Sequence, residues 1–350
     1  MPVSHESGAD APMLVTGATG FIGGRLALRL LEQGHRPRLL VRDPGRLHPR
    51  LREGAQVLRG DLLEPASLLP AVQGCARVFH CAANVATWDR AEAYEAANVD
   101  GVRNLLRALA AQGPEVPAHR AHRVHLVHLS TVDVYGYPRQ PADEAAPCEG
   151  GDFGYGRSKA RGEALLRAEA TRLGLSWCVL RPANVMGPGS PFIQRIGDEL
   201  RAGLMLRVGG GRADCGFLDI DNLLDVMLWA AQAPEAHQGV FNVRDPLGIS
   251  WARFLADLRA GIGGKGLVLD LPEPLAEAAA RLLQAGHRLL RLRGEPLLHP
   301  LLVRMFARSC GHSIERLRAA GAPLGAVGYE AAMQRSTRWY LDQRSGHARG

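Results

Sequence analysis

The sequence predicts an α/β protein: a doubly wound parallel sheet followed by a smaller, mainly helical C-terminal lobe. Two observations predict it. Short apolar runs alternate with amphipathic helical patterns from residue 12 to about residue 182, the signature of strand–helix–strand units. The first apolar run also leads into a glycine-spaced turn that opens the first helix, "VTGATGFIGGRLALRLL".

In chain order, strands are expected at "PMLVTG" (12–17), "RLLVR" (38–42), "AQVLRG" (55–60), "RVFHCA" (77–82), "RVHLVHLS" (123–130) and "SWCVLRP" (176–182), with a later one at "GVFNVRD" (239–245). Amphipathic helices are expected over Gly24–Gln33, Tyr94–Ala111 and Ser158–Leu173. Residues 111–123 and 136–154 read as loops punctuated by Pro and Gly. After Arg181 the alternation stops. Residues 11–184, with 216–245 returning, therefore form the expected sheet domain. Residues 185–215 and 246–340 form the second lobe, and 1–10 and 341–350 read as disordered.

Composition narrows the function classes. Of 42 basic residues only Lys159 and Lys265 are lysines, and the net charge is +7. The charges are scattered, with no block of five like charges, so nucleic acid is not an expected partner. The six cysteines (75, 81, 148, 178, 215 and 310) show no CxxC and no pairing with His. They read as small buried hydrophobes of a reduced, cytoplasmic protein with no metal site. "MPVSHESGADAP" lacks the apolar core of a secretory signal. No run reaches the ~18 apolar residues of a membrane span.

Gly17, Gly20 and Gly23 stand at G-x-x-G-x-x-G spacing. One glycine suits a tight turn, one lets backbone N–H groups approach a pyrophosphate, and one lets helix and strand pack closely. A Rossmann-type dinucleotide site follows from that context. NAD enzymes place an acid at the end of the second strand to take the ribose hydroxyls. Here Arg42 stands there, with Arg46 four residues on. A guanidinium can fork onto a 2′-phosphate, so NADP(H) is expected over NAD(H). Asp61 in "RGDLLE" suits the adenine amino group.

The segments "TGATGFIGG", "GDL", "FHCAA", "NVDGVRNLL", "LSTVDVYG", "YGRSK" and "LRPANVMGPG" resemble, in order and spacing, the extended short-chain dehydrogenase/reductases over roughly residues 12–245. That resemblance implies Tyr155 as general acid/base and Lys159 as its partner in Y-x-x-x-K. A helix brings residues four apart onto one face. A nearby ammonium stabilises the tyrosinate, whose unperturbed pKa of ~10 is otherwise too high for proton exchange at neutral pH. The compact ammonium also reaches the nicotinamide ribose. Alignment on Val-Tyr-Gly puts Thr131 in the hydroxyl slot that holds the substrate oxygen, with Ser130 adjacent. Asn98 matches the helix Asn expected to order the cofactor side. The same resemblance extends the cofactor-contacting set to Thr19, Phe21, Ile22, Leu62, Ala82 and Pro182, and gives His80 a structural role.

Two absences separate branches. Sugar-nucleotide dehydratases carry Thr-Asp-Glu where this chain has Thr131-Val132-Asp133, and Val132 cannot give a proton. Cys215 stands where sugar-nucleotide enzymes place an Arg for the diphosphate, with Arg212 nearby. "FHCAANVATWDRAEAYEAANVDG" and "FLDIDNLLDVMLWA" resemble the 3β-hydroxysteroid dehydrogenase/isomerase branch and the related 2-alkyl-3-oxoalkanoate reductases. "VRDP" resembles the dihydroflavonol reductases. These resemblances imply an oxidoreductase that interconverts a secondary alcohol and a ketone on an apolar substrate. The alternatives are a nucleotide-sugar epimerase and a non-catalytic NADP-binding regulator. A homodimer is a further expectation.

The run 275–307 reads as one amphipathic helix. Arg281, Gln284, Arg288 and Arg291 share one face, and Leu275, Ala279, Leu282, Leu283, Leu289 and Leu290 share much of the other. Two readings stand for it: a cover over the substrate cleft, or a peripheral membrane contact through 275–304.

Overall fold

A computed structural model describes residues 11–112 and 124–347. The expected disordered residues 1–10, and most of the loop 111–123, lie outside them.

Seven parallel strands form the central sheet: β1 (Met13–Thr16), β2 (Arg38–Val41), β3 (Gln56–Arg59), β4 (Arg77–His80), β5 (His125–Leu129), β6 (Ser176–Pro182) and, later in the chain, β10 (Gly239–Val243). Their order is β10-β6-β5-β4-β1-β2-β3. Because β1 pairs with both β2 and β4, the winding direction reverses there, and a crevice opens beyond the strands' carboxyl ends. Every residue of β1, β2, β5 and β10 is buried. Two-sided burial is what makes parallel strands read as unbroken apolar runs.

Helices cover both faces. Phe21–Glu32 places Leu26, Ala27 and Leu30 against Phe79, Val127 and Leu223 on one face. On the other, Leu105, Leu106 and Leu166 pack with Leu14, Val78 and Trp177. The helix expected over 94–111 is interrupted, with Ala91–Glu95 and Gly101–Ala110 flanking a π-turn at Ala96–Asp100. There the Asn98 carbonyl lies so close to Gly162 that a Cβ on Gly162 would sit 2.1 Å from it. Gly162 is what lets the two helices touch.

The second lobe has its own core of Met186, Ile193, Ile196, Leu200, Phe217, Trp251, Phe254 and Leu258. β7 (Asn184–Met186) pairs with β9 (Phe217–Asp219), and β8 (Leu204–Val208) pairs with β11 (Leu267–Leu271). The sequence reading contains neither pair. Residues 341–350, expected as a disordered tail, are helical through His347, because the helix Tyr329–His347 has partners far upstream. Tyr340 Oη donates to Asp198 at 2.7 Å, Arg344 also pairs with Asp198, and Arg335 bonds Asp219 at 2.8 Å.

The run 275–307 is not one helix. It divides into Glu273–Leu289 and Pro300–Ala307, with a non-helical segment between. The first of these buries Ala276 and Ala280. Its leucines face away from the protein.

Candidate active site

Gly17 follows β1 with φ +75°, and a Cβ there would lie 2.8 Å from Ala82 N. Only glycine lets these loops from β1 and β4 approach so closely. A Cβ on Gly23 would lie 2.5 Å from Gly17 O, which fixes the helix start against the turn. Gly20 caps that helix with no side chain bonded to its first N–H groups and no acid in the first turn. These donors, at the positive end of the helix dipole, suit a pyrophosphate. Thr19, Phe21 and Ile22 occupy the same turn, each partly exposed.

Arg42 and Arg46 lie exposed just past β2, one strand over from Gly17. Asp43 turns back to accept from Gly45 N at 2.9 Å. Asp61 follows β3, and its carboxylate accepts from Leu63 N at 3.0 Å. Leu62 packs toward Gly101 and accepts from Asn104 at 2.9 Å through its carbonyl. Ala82 N donates to Thr16 Oγ1 at 3.2 Å, and that hydroxyl lies 2.8 Å from His80 Nδ1. Pro182 ends β6 opposite Val243 of β10. The turn donors, the nearby cations and Asp61 thus fit a dinucleotide.

Beyond β5 the chain turns sharply. Ser130 N donates to Leu180 O at 2.7 Å, and the Ser130 hydroxyl is buried without a partner. Thr131 caps the following turn by accepting from Asp133 N at 3.2 Å. Its hydroxyl also lies close enough to the Tyr155 phenol to offset part of the pKa rise that burial causes there. Of the two adjacent hydroxyls, Thr131's is the one that meets Tyr155.

Tyr155 and Lys159 lie on the helix Gly154–Arg172. Lys159 is 2% exposed, and its Nζ donates to Leu129 O at 2.6 Å, anchoring the ammonium to the end of β5. Burial brings its pKa down to about 8, with Glu163 opposing. The stacked rings of His80 and His128, 5.2 Å apart, lie close enough to feel the Lys159 charge. Burial, then Lys159, holds both imidazoles neutral, His80 down to about 3. Asn98, 2% exposed, bonds Asn84 N at 2.8 Å, Asn84 O at 3.0 Å and Ser158 Oγ at 2.9 Å. It therefore ties the loop after β4 to the helix of Tyr155 and Lys159.

Asp133 is the group whose role the sequence reading missed. Burial pushes the pKa of its carboxyl up to about 6, with the nearby Tyr137 and Thr131 hydroxyls opposing. Tyr137 sits at φ +60°, an uncommon conformation for a bulky residue. Burial first, then the Asp133 charge, pushes the Tyr155 phenol above its ordinary value. The available signal was an acid two residues after Thr131 in a turn. Of the residues tied to sugar nucleotides, Cys215 is fully buried and Arg212 is exposed.

The sequence model of the NAD dependent epimerase/dehydratase family matches residues 13–243. The chain is 29% identical over 334 residues to a 2-alkyl-3-oxoalkanoate reductase of Stenotrophomonas maltophilia, covering 92% of this chain and 97% of that protein. It is 30% identical over 270 residues to a 4-hydroxy-2-methyl-3-oxo-4-farnesyl-3,4-dihydroquinoline-1-oxide ketoreductase of Stigmatella aurantiaca, covering 77% and 78%. Among solved structures, UDP-glucose 4-epimerase of Thermus thermophilus in complex with NAD superposes with a TM-score of 0.70 at 22% identity, covering 94% of this chain and 99% of that one. That likeness is one of fold.

Proposed function

Since this chain belongs to the NAD dependent epimerase/dehydratase family, we propose that it is an NADP(H)-preferring oxidoreductase interconverting a secondary alcohol and a ketone on a mainly apolar substrate. The observation that carries the reading is the Thr131 hydroxyl beside the Tyr155 phenol, with the Lys159 ammonium on the helix of Tyr155 anchored to the carboxyl end of β5. The named activities of the two relatives support a 3-oxo or 3-hydroxy acyl substrate; a 3β-hydroxysteroid, a secondary alcohol of similar apolar character, is the other candidate.

The turn Gly17–Gly23 would hold the pyrophosphate, Arg42 the 2′-phosphate, Asp61 the adenine and Lys159 the nicotinamide ribose. A bound nicotinamide supplies or accepts the hydride. In reduction Thr131 donates a hydrogen bond to the ketone oxygen, and Tyr155 gives that oxygen a proton as negative charge develops on it. A phenol held above its ordinary pKa stays protonated through neutral pH, which suits the reducing direction. Oxidation runs the proton the other way and needs Tyr155 ionised.

This gives a pH prediction. Asp133 is ionised above about pH 6, and its charge opposes ionisation of Tyr155. Asp133→Asn removes that opposition and lowers the Tyr155 pKa. The alkaline rise of the alcohol-oxidation rate should move to lower pH by roughly one unit. An unmoved profile, or a shift to higher pH, would exclude the contact.

Cofactor choice is tested at Arg42. NADPH should bind more tightly than NADH, and Arg42→Asp should narrow the gap by about ten- to a hundredfold, the scale of a lost charge-assisted contact. Equal dissociation constants for the two cofactors in the parent protein would refute the preference. Fluorescence titration reads both.

A further inference from the structure

The helix Glu273–Leu289 turns its leucines outward. Leu275, Leu282 and Leu289 recur every seven residues, and are 61%, 74% and 83% exposed. The segment after it continues the surface with Leu290, Leu292 and Leu297, exposed by 69%, 56% and 89%. Large aliphatic side chains grouped this way are rare on a free protein surface and mark something that covers them.

The charges beside them identify what does. Across residues 275–297 stand Arg281, Arg288, Arg291 and Arg293 against two acids, Glu277 and Glu295, the latter paired with Arg195 and His299. Glu277 already bonds Arg304 at 3.0 Å and Arg281 at 3.3 Å. Arg288 lies over the Trp88 ring, 5.8 Å from its centre. Arg291 and Arg293 flank the exposed Leu292, and both are themselves exposed. A second copy of this chain would set one cationic patch against another. An anionic lipid surface satisfies both halves: headgroups meet the arginines while the leucines enter the acyl boundary.

We propose that residues 275–297 dock this protein on an anionic membrane surface. Among the described residues no helix is long and apolar enough to cross a membrane, so the contact is peripheral. The patch is also tied to the loop that borders the site. Glu295 accepts from Thr87 at 2.6 Å, Trp88 packs against His287 and His299, and Asn84 of the same loop is held by Asn98. Resting on the proposed activity, docking would place the substrate cleft next to the phase that dissolves an apolar ketone.

The experiment is flotation of the full chain with vesicles of phosphatidylcholine, alone or with phosphatidylglycerol. Binding is expected to the phosphatidylglycerol vesicles and to fall with added salt. Two variants are compared: Leu282→Gln/Leu289→Gln/Leu290→Gln, and Arg291→Gln/Arg293→Gln. Each should lower the vesicle-bound fraction by about tenfold or more while keeping the parental circular dichroism and melting temperature. No flotation with either vesicle overturns the proposal, as does undiminished flotation of the leucine variant. So does a concentration-dependent dimer that the leucine substitutions dissolve, because a second copy would then be the occupant. None of these readings involves turnover, so a failed docking surface and a failed activity are told apart.

Discussion

Lys159→Arg is expected to lose at least ~100-fold in turnover, the scale of a displaced proton-transfer group. Charge alone cannot be the reason for the lysine, since a guanidinium is charged at every accessible pH. Space and geometry are. The ammonium is 2.6 Å from Leu129 O on a residue 2% exposed, and within reach of the buried His80 and His128 and the half-buried Cys81. A planar fork in that space must move either the end of β5, which carries Thr131, or the Tyr155 ring on its own helix. Tyr155→Phe should lose as much or more, because the ring stays and the proton does not. Both variants should still bind NADPH in a fluorescence titration. Near-parental turnover in Lys159→Arg would show that charge is all the site requires.

Glu163→Ala is expected to have the largest effect on stability. Arg181 on β6 is fully buried, and Glu163, one helical turn past Lys159, is 2% exposed. Arg181 Nε donates to Glu163 Oε2 at 3.0 Å, and its Nη1 donates to Tyr135 Oη at 2.7 Å. Tyr135 in turn donates to Asn242 on β10 at 2.7 Å. Removing Glu163 leaves a guanidinium without a counter-charge where water cannot reach it. That should cost about 3–5 kcal/mol and lower Tm by several degrees. The double variant Glu163→Met/Arg181→Met removes both charges and should cost less than Glu163→Ala. A Glu163→Ala melt within a degree of the parent would mean that Arg181 finds another partner.

How much of this was legible in the sequence depended on burial. Most strands of the sheet are buried and print largely apolar runs, and all seven, the more exposed β3 included, fall inside the predicted segments. β8 and β11 escaped because they form a half-exposed pair, with Leu204, Leu267 and Leu269 open to solvent. The run 275–307 shows the limit of periodicity. An apolar stripe says that a face is covered, and is silent on whether protein or something else covers it. The tail failed for a different reason: Asp198, partner of Tyr340 and Arg344, lies over 140 residues upstream. In the site, the spacing of Tyr155 and Lys159 needed only a helix to become a geometry. Two neighbouring hydroxyls, Ser130 and Thr131, needed coordinates, since one faces a buried void of partners and the other faces Tyr155. Asp133 was visible as an acid, but its approach to Tyr155 depends on the turn that Thr131 caps.

Hydride transfer to an apolar ketone is the central claim, and isotope transfer tests it most directly. The protein is incubated with a 2-alkyl-3-oxoalkanoate and NADPH carrying deuterium at both nicotinamide C4 positions, and the product is read by mass spectrometry. The predicted result is a 3-hydroxy product with one deuterium on the carbinol carbon, formed by the parent and at least ~100-fold more slowly by Tyr155→Phe. The contradicting result is no labelled alcohol from this or any other apolar ketone, beside epimerisation of a UDP-hexose without added cofactor.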